Sequence, residues 1–107
     1  MLAAEDRRVA AELKRRLLAA GVPLTETRIF GSRARGDAQP DSDLDVFLVI
    51  GSRTRDIERL IDRIAWEAGH QYRRVIMTFE CTAEEIGRLP LRAAPLLADV
   101  QREGVPV

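Results

Sequence analysis

Several residue types are scarce in this chain, and each scarcity narrows what it can be. A single cysteine, Cys81, among 107 residues excludes an intramolecular disulfide and suits a reducing compartment, so the cytoplasm is the expected location. The only histidine, His70, has no second histidine or cysteine nearby, which argues against zinc. Neither charge sign is in excess: 17 basic residues face 17 acidic ones, so no global field points to nucleic acid or a membrane surface. No apolar run is long enough to span a bilayer, and no signal peptide is visible. Lysine is almost absent, Lys14 being the only one, and that bias fits either genome composition or bidentate anion contacts. There is no internal repeat, low-complexity stretch or linker.

What is present reads as one domain over residues 1–107, enough for a single core. Any further wall of a site must come from a partner or a second copy. Residues 2 to about 20 set Leu2, Val9, Leu13, Leu17 and Leu18 among charges at helical spacing, and Gly21 and Pro23 close the segment. Arg7, Arg8, Lys14, Arg15 and Arg16 give it a basic face, solvated or turned to an acidic partner. Thr25 to Phe30 reads as a short strand, and Gly36 to Ser42 as a loop. Leu44 to Ile50, LDVFLVI, is apolar on both alternating faces beyond Asp45, as in a central strand covered on two sides. A second helix is expected over residues 53–69, with Ile57, Leu60, Ile61, Ile64 and Trp66 at helical spacing and Gly69 as its stop. Tyr72 to Cys81 has strand content, with Cys81 as core filler and Trp66 and Tyr72 as core packing rather than base stacking. Thr82 and Glu85 form a capping box that starts a short helix, Pro90 and Pro95 break the chain beyond it, and Leu91 to Arg102 is a last helix. The order α, β, β, α, β, α gives an α+β domain.

The sharpest feature is GSRARGDAQPDSDLDVFLVI, residues 31–50. Gly31 and Ser32 stand where a strand ends and a short helical turn begins, where free N–H groups can hold phosphate; glycine allows close approach and the hydroxyl adds a donor. After a ten-residue spacer come Asp43 and Asp45, two apart in a strand and so on one face. Two neighbouring carboxylates repel unless a cation lies between them, and Mg²⁺ suits: it takes oxygen ligands, keeps waters, and is held by one or two carboxylates with substrate phosphates. Arg33 and Arg35 either steer phosphate or lie on a solvated loop. The bland alternative for the Asp pair is solvated residues at a sheet end, and for Gly31-Ser32 a common turn.

Gly-Ser, ten residues, then Asp-x-Asp resembles the nucleotidyltransferase superfamily of DNA polymerase beta-like enzymes. GSRARG and PDSDLDV look like its stand-alone minimal nucleotidyltransferases, over nearly the whole chain. The resemblance implies a small mixed β-sheet flanked by helices. It implies one or two Mg²⁺ ions on Asp43 and Asp45, and ATP or another nucleoside triphosphate contacted by Gly31, Ser32 and Arg35. It also implies transfer of a nucleoside monophosphate, AMP foremost, to a hydroxyl. The chain departs from the pattern in one place: the segment matching the family's third carboxylate, Arg74 to Phe79, reads RVIMTF, and Glu80 would share a face with Ile76 and Thr78.

The resemblance implies two alternative functions. One is a Mg²⁺-dependent nucleotidyltransferase whose acceptor sits on a partner, in the minimal family a small helical HEPN protein paired with it as toxin and antitoxin. The other is a catalytically weak or inactive antitoxin or binding subunit acting by complex formation, which the missing acid favours and the intact Gly-Ser and Asp pair oppose. A homo-oligomer is the remaining way to complete the site.

Overall fold

The computed structural model describes residues 2–88 and 94–107; the expected break at Pro90 and helix start at Leu91 lie outside the described residues. Its organiser is β2 (Leu44–Ile50), every residue of which except Asp45 is buried. To one side β1 (Leu24–Phe30) pairs with it antiparallel, and to the other β3 (Ile76–Thr82) pairs parallel. A two-residue strand, β4 (Val105–Pro106), adds to the outer edge of β1, so the mixed sheet has the order β3-β2-β1-β4. Sequence reading missed β4, which is too short to show a period and ends in proline, a residue confined to sheet edges.

Each face of β2 meets its own apolar layer. Leu44, Val46, Leu48 and Ile50 pack with Val9, Leu13 and Leu17 of α1 (Ala4–Ala19) and Ile61, Ile64 and Ala65 of α3 (Arg55–Tyr72). Phe47 and Val49 pack with Phe30, Phe79, Cys81 and Ile86 and with Leu96, Leu97 and Val100 of α5 (Ala94–Glu103); Phe30 and Phe79 meet edge to face with centroids 5.4 Å apart. Cys81 is thus the core filler expected. Pro95 does not break α5 but lies in its first turn, where a missing N–H breaks no helical bond. Thr82 and Glu85 do close a capping box on α4 (Ala83–Ile86).

Two expectations fail on α3. It runs past Gly69 to Tyr72 and is capped by Arg73 in the left-handed region, φ 56°, whose N–H donates to the carbonyls of Gly69 and His70. Gly69 is a contact and not a stop: a Cβ there would lie 2.5 Å from the Arg74 carbonyl oxygen, so only glycine lets the chain double back onto β3. Strand β3 accordingly starts at Ile76 rather than Tyr72. Trp66 is not core but 69% exposed, one position past the buried Ile61, Ile64, Ala65, Ala68 stripe, and stacks on His70 with centroids 5.3 Å apart. On the basic face of α1 Glu12 pairs with both Arg15 and Arg16, while Arg7 and Lys14 donate to the carbonyls of Pro106 and Val107. Leu18 is exposed, so only part of the expected α1 stripe faces the core.

Candidate functional site

Strand β1 ends at Phe30, opposite Asp45 on β2, so the turn after β1 lands against the first turn of the neighbouring strand. Gly31 makes that turn with φ 78° and caps α2 (Ser32–Arg35), a single helical turn. The fit admits no side chain: a Cβ on Gly31 would fall 2.4 Å from Asp45 Oδ2. Glycine is therefore required twice, by its dihedral and by the carboxylate pressed against it. Ser32 opens α2, whose first N–H groups have no intrahelical partners. Gly31, Ser32 and Asp45, separated in sequence, share one end of the sheet.

Asp43 is exposed just ahead of β2, and Asp45 is partly buried as its second residue. Burial, and then the charge of Asp43, push the Asp45 carboxyl above its usual range, while Arg35 pulls it back. Among the described residues neither carboxylate has a hydrogen-bond or ion-pair partner, whereas Asp37 and Glu103 beside them both do. Two unpartnered carboxylates of like charge, one exposed and one partly buried, are a donor set for a hard divalent cation, which would neutralise them both. No group of three or more His, Cys, Asp or Glu side chains is placed to hold a metal among the described residues, so further ligands would be water and substrate oxygens.

The two arginines of the motif part company. Arg33 turns inward: its Nη2 donates to the carbonyls of Pro40 at 3.1 Å and Ser42 at 2.9 Å, and its Nη1 lies 3.8 Å from Asp6. Asp6, buried, also takes Arg74 Nη2 at 2.5 Å, so one carboxylate ties α1, α2 and the entry to β3. Arg33 is thus neither a phosphate contact nor a solvated loop residue but the brace of the loop that delivers Asp43. Arg35 does face the site, held by Asp37 at 3.2 Å and by both oxygens of Glu103 at 3.1 and 3.3 Å.

Glu103 is the residue that sequence reading missed. It is the last residue of α5, and besides Arg35 it accepts the Gly31 N–H at 3.3 Å. Nothing local marks it, since 72 residues separate it from Gly31 and the expected last helix ended one residue earlier.

The register also resolves the third acid. Asp45 is paired with Met77, which therefore occupies the position beside it on the same face. Glu80 pairs with Leu48 on the α3 face, as the alternation from Ile76 implies; burial and then Asp62 push its carboxyl up. Met77 is 43% exposed and lines a groove of about 830 Å³ between α3 and β3 with Trp66, His70 and Thr78.

The family model for the nucleotidyltransferase domain matches residues 7–95. Among solved structures, a protein assigned as a minimal nucleotidyltransferase is 28% identical, with 95% of each chain covered and a TM-score of 0.61. A chain of a toxin–antitoxin complex with AMP-PNP is 18% identical, covering 89% of this chain and 69% of that one, TM-score 0.63. A chain from the complex of tri-AMPylated Shewanella oneidensis HEPN toxin with MNT antitoxin is 16% identical, covering 94% and 70%, TM-score 0.59. No curated protein sequence matches.

Proposed function

The chain belongs to the nucleotidyltransferase domain family, and from that premise we propose that it moves a nucleoside monophosphate, AMP foremost, from a nucleoside triphosphate to a hydroxyl on a partner protein. The observation that carries this reading is the close packing of Gly31 against Asp45, which sets the Gly-Ser turn directly beside an unpartnered carboxylate. In this reading Ser32 and the first N–H groups of α2 hold the triphosphate, and Arg35 faces its charge. Asp43 and Asp45 would hold Mg²⁺, which when bound supplies Lewis-acid stabilisation of the charge that develops on the phosphate oxygens. The acceptor oxygen bonds to the α-phosphorus, the bond from that phosphorus to the bridging oxygen breaks, and pyrophosphate leaves. With Met77 beside Asp45, the acceptor proton passes to water or to a base on the acceptor protein.

A HEPN-type acceptor is supported by the fold neighbour in which an AMPylated HEPN toxin is bound to its antitoxin. The test is incubation of the chain with α-labelled ATP, Mg²⁺ and a HEPN-type partner. Label should enter the partner and vanish with Asp43→Asn or Asp45→Asn. Nucleotide binding with no label in any partner would overturn transfer and leave the second reading, an antitoxin that acts by complex formation. The observation favouring that alternative is Met77, an apolar residue where a third acid would stand.

A further inference from the structure

Arg35 is held beside Gly31, the residue packed on Asp45, because one carboxylate, Glu103, takes both its Nη1 and the Gly31 N–H, and what restrains this guanidinium decides whether the carboxylate pair is left to a metal. Its contact with Asp37 joins two exposed side chains two residues apart, a kind of pair worth little. Its contact with Glu103 differs in kind. The Glu103 side chain is only 13% exposed, engages Arg35 through both oxygens and takes the Gly31 N–H as well. It is also firmly placed. Val100, three residues back on α5, is buried in the second apolar layer, and the Gly104 N–H donates to the Val100 carbonyl at 2.8 Å. A Cβ on Gly104 would lie 2.2 Å from that same oxygen, so the chain turns directly from α5 into β4, which is registered on β1. Glu103 thus reaches the site from a rigid corner, and without it Arg35 would keep only the exposed contact of its Nε with Asp37, leaving Nη1, which Glu103 holds beside the Gly31 amide, free to turn toward the carboxylate packed on Gly31.

Resting on the metal reading of Asp43 and Asp45 above, we propose that Glu103 is a positioning residue of this site: it clamps Arg35 and the Gly31 amide from the end of α5 and so keeps the guanidinium off the carboxylate pair. The charge count supports this. Asp43 and Asp45 bring two negative charges, and Arg35 cancels one of them unless a further carboxylate neutralises it. Asp37 meets Arg35 at Nε through an exposed contact, and Glu103 holds Nη1 from a mostly buried position, so the pair is left able to take a divalent cation. When Glu103 loses its charge, Arg35 moves onto Asp45 and competes with the metal.

The test is titration of the whole chain with Mn²⁺ alone, followed by calorimetry, for wild type, Glu103→Gln, Arg35→Gln and the double variant, with a thermal melt of each to establish that it is folded. Glu103→Gln is expected to weaken Mn²⁺ binding about three- to tenfold, the loss expected when a cation competes for the same carboxylates. Removing Arg35 in that background should restore binding to the level of Arg35→Gln, because the competitor is gone. A merely structural role for Glu103 gives no such rescue. Unchanged affinity in Glu103→Gln, or a double variant as weak as Glu103→Gln, overturns the proposal while leaving the metal reading intact. If wild type shows no Mn²⁺ binding that Asp45→Asn abolishes, the metal reading itself falls and the proposal with it.

Discussion

On one face of β2, four aliphatic side chains run without interruption into a layer closed by α1 and α3; on the other, Phe47 and Val49 give way at the strand entrance to Asp45 and, just before it, Asp43. The same seven residues therefore serve two purposes by alternation alone. The first face carries most of the burial, and its residues could be exchanged for other apolar ones of similar volume. The second contains Asp45, whose charge burial disfavours in that position, as expected of a group kept for a site rather than for packing.

Breaking the second face should affect chemistry and spare stability. Asp45→Asn or Asp43→Asn is expected to lower nucleotidyl transfer at least about a hundredfold, the equivalent of several kcal/mol of transition-state stabilisation. The thermal midpoint of Asp45→Asn should not fall, since the substitution removes a charge that burial disfavours; a variant that melts markedly lower would show that the carboxylate is structural. Breaking the first face should do the converse. Leu48→Ala, at a fully buried position, is expected to cost about 2–5 kcal/mol in urea unfolding while transfer per folded molecule stays near wild type.

The contrast can also be sharpened by adding to it. Met77→Asp places a third carboxylate beside Asp45 and should tighten Mn²⁺ binding several-fold by calorimetry, on the order of 1 kcal/mol for one more partly exposed charge. No tightening would mean that the pairing across β2 and β3 does not bring the two side chains together. The smallest effect concerns Glu80 on the opposite face. Its folded carboxyl lies above the usual 4.5, so between these values the native chain binds more protons than the unfolded one. Its contribution to stability should therefore fall as pH rises through that window and be lost above it. Glu80→Gln should flatten that part of the stability profile, and an unchanged slope would show that another group is responsible.

The sequence discloses the carboxylate pair and the Gly-Ser turn because all lie within residues 31–45, and alternation along one strand suffices to put both acids on one side. It also discloses the central strand, whose LDVFLVI leaves no polar face to solvent. Met77 and Glu103 enter the site through strand register and through a helix end docked from far along the chain, and neither relation leaves a local period. Gly69 misled for a related reason: glycine ends helices by its dihedral but also permits close contacts, and only the returning backbone at Arg74 tells the two apart. Trp66 misled because an apolar residue just off a buried stripe has nearly the spacing of one on it. Arg33 and Arg35, two apart in one short helix, are equivalent in sequence and differ only because the loop carbonyls claim one and Glu103 the other.

The outward stacking of Trp66 on His70 gives this molecule a ready optical probe. It is the chain's only tryptophan, and it lines the groove between α3 and β3, so indole emission reports on that groove. The aromatic rings on the carboxylate face of the sheet are phenylalanines, which contribute almost nothing at those wavelengths. A protein that covers the groove would bury the indole and shift its emission.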